Sequence, residues 1–153
     1  MKHLLIVYHS KTGHTEALAQ AVYEGATDPQ LDPVDVRLKR ARDSGPEDLL
    51  WCDGVILGTP ENFGYMSGAL KDFFDRTFYE VEGKIAPLPY ALFIAAGNDG
   101  RGAVRAIQRI ANGYPLLEVQ APLYSRGEPV TETLQACREL GMALAAGLAL
   151  GMF

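Results

Sequence analysis

The 153-residue sequence is poor in the residues that build staples and metal centres. It has two cysteines, Cys52 and Cys137, and three histidines, His3, His9 and His14. Two cysteines exclude a disulfide scaffold, and neither they nor the histidines fall at metal-ligand spacing. A chain of this length buries roughly 70% of its unfolded surface, so it needs no such staple. No apolar run reaches the ~20 residues that span a bilayer. The uncharged stretch from Leu140 to Phe153 is too short and reads as a buried or partner-packed helix. The apolar start Leu4-Leu5-Ile6-Val7 is cut short by Tyr8, His9 and Ser10, which argues against an export signal; the expected compartment is the cytoplasm. Excess positive charge is also missing. Lys and Arg total 14 against 19 Asp and Glu, a formal net charge of -5, which disfavours general binding to nucleic acid or anionic membrane. With no internal repeat and no low-complexity linker, residues 1–153 are expected to form one domain.

What the sequence does contain is an alternation of short apolar runs with helical stretches. His3 to His9, Asp53 to Thr59 and Tyr90 to Ala96 are near-continuous apolar runs, the pattern of strands covered on both faces. Val34, Val36 and Leu38 alternate with charge, which predicts a strand near a sheet edge. Leu116 to Leu123 is read as the last strand. Helices are expected over Thr12 to Ala26, a short Pro46 to Leu50 with Ser44 as cap, Ser67 to about Tyr79, Gly102 to Asn112, and Thr131 to about Leu150. In the third of these, Leu70, Phe73, Phe74 and Phe78 share one face. Five strands alternating with helices imply a doubly wound parallel sheet. Ligands of such sheets bind beyond the carboxyl ends of the strands, at the switch in strand order. That directs attention to the loops after His9, Thr59 and Ala96.

The first loop reads Ser10-Lys11-Thr12-Gly13-His14-Thr15. A helix start offers free N–H groups and a favourable dipole to an anion, the hydroxyls add donors, and Gly13 admits close approach. The loop reads as a phosphate cradle built mainly from neutral donors; simple N-capping by Ser10 or Thr12 is the alternative. The P-loop pattern Gly-x-x-x-x-Gly-Lys-Ser/Thr is absent, and Gly100-Arg101-Gly102 is only a fragment of a dinucleotide fingerprint, placed after the wrong strand. The loop has no cysteine, and no acidic pair ends the first strand, so phosphatase and receiver chemistry are disfavoured. The second loop carries Pro60, Glu61, Asn62, Phe63, Gly64 and Tyr65. Its aromatics offer stacking surface and its backbone near Asn62 to Gly64 offers hydrogen bonds to the polar edge of a flat ring. The alternative is a structured loop whose aromatics fill the core. The third loop contributes Ala96, Gly97, Asn98 and Gly102, where the glycines allow a ring edge to come close; a Gly-rich turn with an Asn or Asp cap is the alternative. Trp51 and Cys52 read as packing rather than redox groups. Gly141, Ala145, Gly147 and Gly151 read as a close helix contact, either within the fold or across a dimer seam.

Ser10-x-Thr12-Gly13-x-Thr15 resembles the FMN-phosphate signature of the flavodoxin-like superfamily. Thr59-Pro60-x-x-Phe63-Gly64-x-Met66-Ser67-Gly68, followed by Phe74-Asp75, is similar to WrbA-type NAD(P)H:quinone oxidoreductases, and Lys71-Asp72-Phe73-Phe74-Asp75-Arg76 to related FMN reductases. The resemblance implies a three-layer α/β sandwich with a five-stranded parallel sheet in the order 2-1-3-4-5. It implies FMN held by the three loops and an oxidoreductase that passes electrons from NAD(P)H to a quinone or similar acceptor. No catalytic side chain is required, because the flavin carries the chemistry. The third loop has no aromatic, which leaves one ring face open for a second substrate; Arg101 is read as a cation near the ring, with a solvent-facing arginine the equal alternative. A non-catalytic electron-transfer flavodoxin is the alternative. The resemblance also admits a redox-protein partner and a homo-oligomer.

Overall fold

A computed structural model describes residues 1–153. The strands are β1 (His3–Tyr8), β2 (Asp35–Arg40), β3 (Gly54–Pro60), β4 (Leu88–Ala96), β5 (Leu116–Glu118) and β6 (Leu123–Arg126). The helices are α1 (His14–Ala26), α2 (Pro46–Trp51), α3 (Gly68–Val81), α4 (Arg101–Ala111) and α5 (Thr131–Ala149). The sheet is parallel throughout and runs β2-β1-β3-β4-β5, with β6 also pairing with β4. The expected order 2-1-3-4-5 is therefore the observed one, with its fifth position shared by two short strands.

The strand alternation sorts the core into two layers. Leu4, Ile6, Tyr8, Ile56, Ala91 and Phe93 pack with α1 and α5 on one face. Leu5, Val7, Val55, Leu57, Leu92 and Ile94 pack with α3 and α4 on the other. Period-two side-chain alternation makes both faces apolar, which is why these strands read as unbroken hydrophobic runs. The edge strand β2 keeps charge on one face. Its Arg37 and Lys39 reach the buried carboxylate of Asp48 at 3.1 and 2.9 Å.

Three local expectations are corrected. The last strand does not run unbroken from Leu116 to Leu123. Tyr90 pairs with Glu118 and Phe93 with Leu123, so four residues lie opposite two on β4. Pro122 falls in the excess and has no N–H for the ladder. The first helix begins at His14 rather than Thr12, because Gly13 takes a left-handed φ of 103°. Ser44 does not cap α2. Gly45 is the N-cap residue and its N–H donates to Asp48, while the Ser44 hydroxyl donates to the Arg40 carbonyl.

The glycines of α5 are consumed inside the chain. A Cβ on Gly141 would lie 2.0 Å from the Val22 carbonyl oxygen on α1, and one on Gly147 would lie 2.3 Å from the Phe153 ring. Close packing of α5 on α1 and on the C-terminal tail thus accounts for these two positions. No helix is long and apolar enough to cross a membrane.

Candidate functional site

The carboxyl ends of β1, β3 and β4 open onto one cleft of about 280 Å³. Its walls come from all three loops: Lys11, Thr12, His14 and Thr15 from the first, Pro60, Glu61 and Asn62 from the second, Ala96 and Gly97 from the third. Gly127, after β6, completes it.

The first loop leaves hydrogen-bond donors open. The Ser10 hydroxyl accepts the Gly13 N–H at 3.1 Å and closes the turn. The Gly13 carbonyl then accepts the Ala17 N–H, the first helical bond. The amide N–H groups of His14, Thr15 and Glu16 meet no acceptor in the chain. Gly13 brings no side-chain cap to them. Thr15 is buried, lines the cleft and makes no hydrogen bond with its hydroxyl inside the chain. A helix start normally satisfies at least one of these donors with a cap. Ser10 therefore shapes the turn without capping α1, and the open donors remain for a ligand.

Charge near this loop is arranged to tolerate an anion. Glu16, in the first turn of α1, is paired with Arg40, and Tyr8 donates to the same carboxylate at 3.2 Å. Arg40 also lies over the Tyr8 ring at 5.3 Å. Burial, then the positive charges of Arg40, Arg42 and Lys11, hold His9 below its ordinary value of 6.5. The same cations favour an anion close by. Arg40 and Arg42 come from the end of β2 and the turn after it, a contribution invisible in the Ser10–Thr15 motif.

The second loop is a tight hairpin. Asn62 and Tyr65 exchange backbone hydrogen bonds at 2.8 and 3.0 Å around Phe63 and Gly64. Both turn residues have positive φ, 53° and 69°. Gly64 takes this conformation freely; Phe63 does so against its own Cβ. The base of the hairpin is fixed by Thr59, whose buried hydroxyl accepts the Ser67 N–H at 2.9 Å and donates to the Pro60 carbonyl. Ser67 then caps α3 through the Leu70 N–H at 3.2 Å. The Phe63 side chain stands fully exposed at the tip, so it does not fill the core. Tyr65 turns away from the first cleft and lines a groove with Lys71, Arg105 and Arg109.

Between the second and third loops lies a wider polar cleft of about 710 Å³, which shares Glu61 and Gly97 with the first. Gly64, Asn98 and Gly102 line it, as do Arg105 and Arg126. Arg101 is exposed at the first residue of α4 and does not line it. The solvent-facing alternative for Arg101 is the observed one; the arginines of this wall are Arg105, one turn further along, and Arg126 at the end of β6, beside the acids Glu61 and Asp99. Glu61 spends its carboxylate on α4, accepting the N–H groups of Gly100, Gly102 and Ala103 at 3.3, 2.9 and 3.3 Å.

Other candidates fall outside the site. Cys52 and Cys137 are buried and their thiols are pushed up to about 12 by desolvation. Trp51 is held between the His3 ring, stacked at 4.4 Å, and the Arg37 guanidinium at 3.8 Å. No group of acidic, histidine or cysteine side chains is arranged to hold a metal ion.

The donor set fits FMN: open amides and a hydroxyl for a phosphate, an aromatic hairpin, and a glycine-walled third loop. The sequence profile described as NADPH-dependent FMN reductase matches residues 1–125. The chain belongs to that family. It thereby falls in the flavodoxin-like superfamily of FMN-binding proteins. A relative named flavodoxin from Aquifex aeolicus (strain VF5) is 33% identical over 170 residues, 98% of this chain and 89% of that one. A relative named NAD(P)H dehydrogenase (quinone) from Acidithiobacillus ferrooxidans is 37% identical over 95 residues, 50% of this chain and 48% of that one. Among solved structures, the WrbA-like flavodoxin of Agrobacterium tumefaciens superposes with a TM-score of 0.79 at 21% identity. That match covers 98% of this chain and 99% of the other. The Lys71–Arg76 segment has a structural role here. Lys71–Asp75 and Asp72–Arg76 are i,i+4 ion pairs on α3, and Arg76 also donates to the Ser44 and Ala41 carbonyls.

Proposed function

We propose that residues 1–153 form one FMN-binding unit that oxidises NAD(P)H and delivers the electrons to a quinone or similar small acceptor. The observation that carries the flavin assignment is the set of open donors at the start of α1, the amides of His14, Thr15 and Glu16 together with the Thr15 hydroxyl. FMN, when bound, supplies the reversible redox chemistry that no side chain here provides. The chain's own part is to bind and orient. The amides and the Thr12 and Thr15 hydroxyls hold the phosphate, with Lys11 and Arg42 adding positive charge. The hairpin backbone from Asn62 to Gly64 and the backbone at Ala96, Gly97 and Asn98 meet the polar edge of the ring. Phe63 offers it an aromatic face. The third loop, without an aromatic, leaves the other side open for a second substrate.

The test is a fluorescence titration with FMN and with riboflavin, which differs by the phosphate alone. A hydrogen bond to a charged group contributes about 1.5–3 kcal/mol. The Thr12→Ala/Thr15→Ala double variant should therefore lose FMN affinity by roughly 100-fold while riboflavin affinity barely moves. Equal affinity of the native protein for both flavins would remove the phosphate assignment.

A second function, the electron carrier without NAD(P)H chemistry, is favoured by the Aquifex relative, named flavodoxin and aligned over 98% of this chain. NAD(P)H consumption by the FMN-loaded protein, followed with a soluble quinone present, separates the two. Sustained turnover supports the enzyme; none supports the carrier.

A further inference from the structure

The protein is acidic overall, at -5, yet the solvent face of α4, beside the candidate site, carries three arginines. Six of the 14 lysines and arginines make ion pairs: Arg37, Lys39, Arg40, Lys71, Arg76 and Arg138. Four of the remaining eight lie together: Arg101, Arg105 and Arg109 on α4, and Arg126 after it in the fold. The first three recur at i, i+4 and i+8, so they form one stripe about 12 Å long. All four are exposed. The opposite face of α4 is buried through Ala103, Val104, Ile107 and Ala111. The acids nearest the stripe do not neutralise it with an ion pair. Glu61 accepts three amides of α4, Asp99 accepts the Arg101 N–H, and Glu118 accepts from Gln108. The exposed Phe63 lies beside this patch, on the hairpin whose Gly64 carbonyl approaches Gly102.

We propose that this arginine face, with Phe63 at its edge, is the docking surface for an acidic redox protein that seats over the mouth of the flavin cleft. Unpaired arginines around an exposed aromatic are the composition of a protein interface, and complementary charge steers such encounters. A small phosphorylated ligand fits this surface less well. Its charged groups need convergent donors, whereas these arginines are spread over about 12 Å of α4 and the end of β6, across two separate clefts. The wide cleft that Arg105 and Arg126 border has no apolar residue in its wall to hold an adenine or nicotinamide ring. Arg105 and Arg126 border the wide cleft, which shares Glu61 and Gly97 with the cleft at the start of α1, so a docked protein reaches the same mouth.

The test uses the full chain saturated with FMN and two probes, a plant-type [2Fe–2S] ferredoxin as an acidic protein and cytochrome c as a basic one. Binding is measured by calorimetry at low and moderate salt. The ferredoxin should bind, and its affinity should fall several-fold as salt rises. Arg101→Glu/Arg109→Glu should weaken it by at least 10-fold, while Lys84→Glu, on the loop after α3, leaves it unchanged. FMN affinity, titrated in parallel, should be the same in all variants. Tighter binding of cytochrome c, or ferredoxin binding insensitive to the arginine variants, overturns the proposal. So does adenosine 2′,5′-bisphosphate displacing the ferredoxin from the native protein and losing its own affinity in the arginine variants. That result would assign the stripe to a dinucleotide. Failure of FMN to bind would count against the flavin assignment alone, because docking is read directly.

Discussion

Glu61 on the loop after β3 accepts the N–H of Gly102 on α4 at 2.9 Å. The same glycine sits so close to the 62–65 hairpin that a Cβ would fall 2.1 Å from the Gly64 carbonyl oxygen. One carboxylate and one missing side chain therefore lock the second and third loops of the site together.

The carboxylate half of that lock predicts a stability effect. Glu61 does for α4 what an N-cap does, since Gly100 offers no side chain and the helix dipole favours a negative charge there. Glu61→Ala should destabilise the chain by about 1 kcal/mol, because caps contribute about 0.5–2 kcal/mol. Urea unfolding followed by circular dichroism measures it. An unchanged midpoint would mean that water replaces the carboxylate without loss.

The steric half predicts a local effect on binding. Gly102→Ala puts a methyl group against backbone, which cannot rotate away. The hairpin bearing Phe63 must shift. FMN and riboflavin should lose affinity together in this variant, unlike the threonine variants, which should lose only the phosphate's share. Gly97→Ala makes the contrast. Its Cβ would meet nothing within 4 Å, so unfolding should be unaffected, while flavin affinity should drop because Gly97 walls both clefts. Titrations of the two variants with both flavins decide the matter. Retention of native flavin affinity by Gly102→Ala would separate the hairpin from the ring site.

The acid limb of stability should carry the signature of Asp48. Burial opposes its ionisation, but hydrogen bonds from Lys39 and the Gly45 N–H, the Lys39 charge and a bond from Arg37 outweigh it, and its carboxyl sits below the ordinary 3.8. A carboxylate depressed in the folded state contributes stability that is full above 3.8 and is lost as pH falls through the lower folded value. Asp48→Asn should therefore reduce stability at neutral pH and flatten the decline below 3.8. Thermal melts of both proteins across that range test the sign. Parallel pH profiles would remove the role assigned to Asp48.

Much of the fold was legible because its physics is local. Both-face burial writes β1, β3 and β4 as apolar runs, and the amphipathic period writes α3 and α4. The split of the last strand was less legible. It depends on how much chain must bulge between Glu118 and Leu123 opposite β4, which pairing alone defines. The turn that leaves the α1 donors open was legible for the same reason as the strands, since the glycine and hydroxyls sit next to each other in sequence. Arg40, Arg42, Arg105 and Arg126 were not, because only the parallel order brings the ends of β2 and β6 and the second turn of α4 near these loops. A signal for one of them was present: arginines at 101, 105 and 109 oppose the apolar positions of α4. Glu61 was recognised as a site residue by position, but its partnership with α4 needed the crossover that places Gly102 beside it.

The buried cysteines supply a final prediction about reactivity. A quinone acceptor is an electrophile, and a thiolate near the site would be alkylated by it. Cys52 and Cys137 are both buried, and desolvation pushes each thiol up to about 12. At pH 8 almost no thiolate is present, and little of either side chain is accessible. The native protein should leave Ellman's reagent unreacted, and both thiols should react once denaturant is added. Quinone-supported turnover should survive preincubation with iodoacetamide. Rapid labelling of either cysteine in the folded chain would show that one sheet face opens readily, and the labelled position, on the α2 or the α5 side, would identify which.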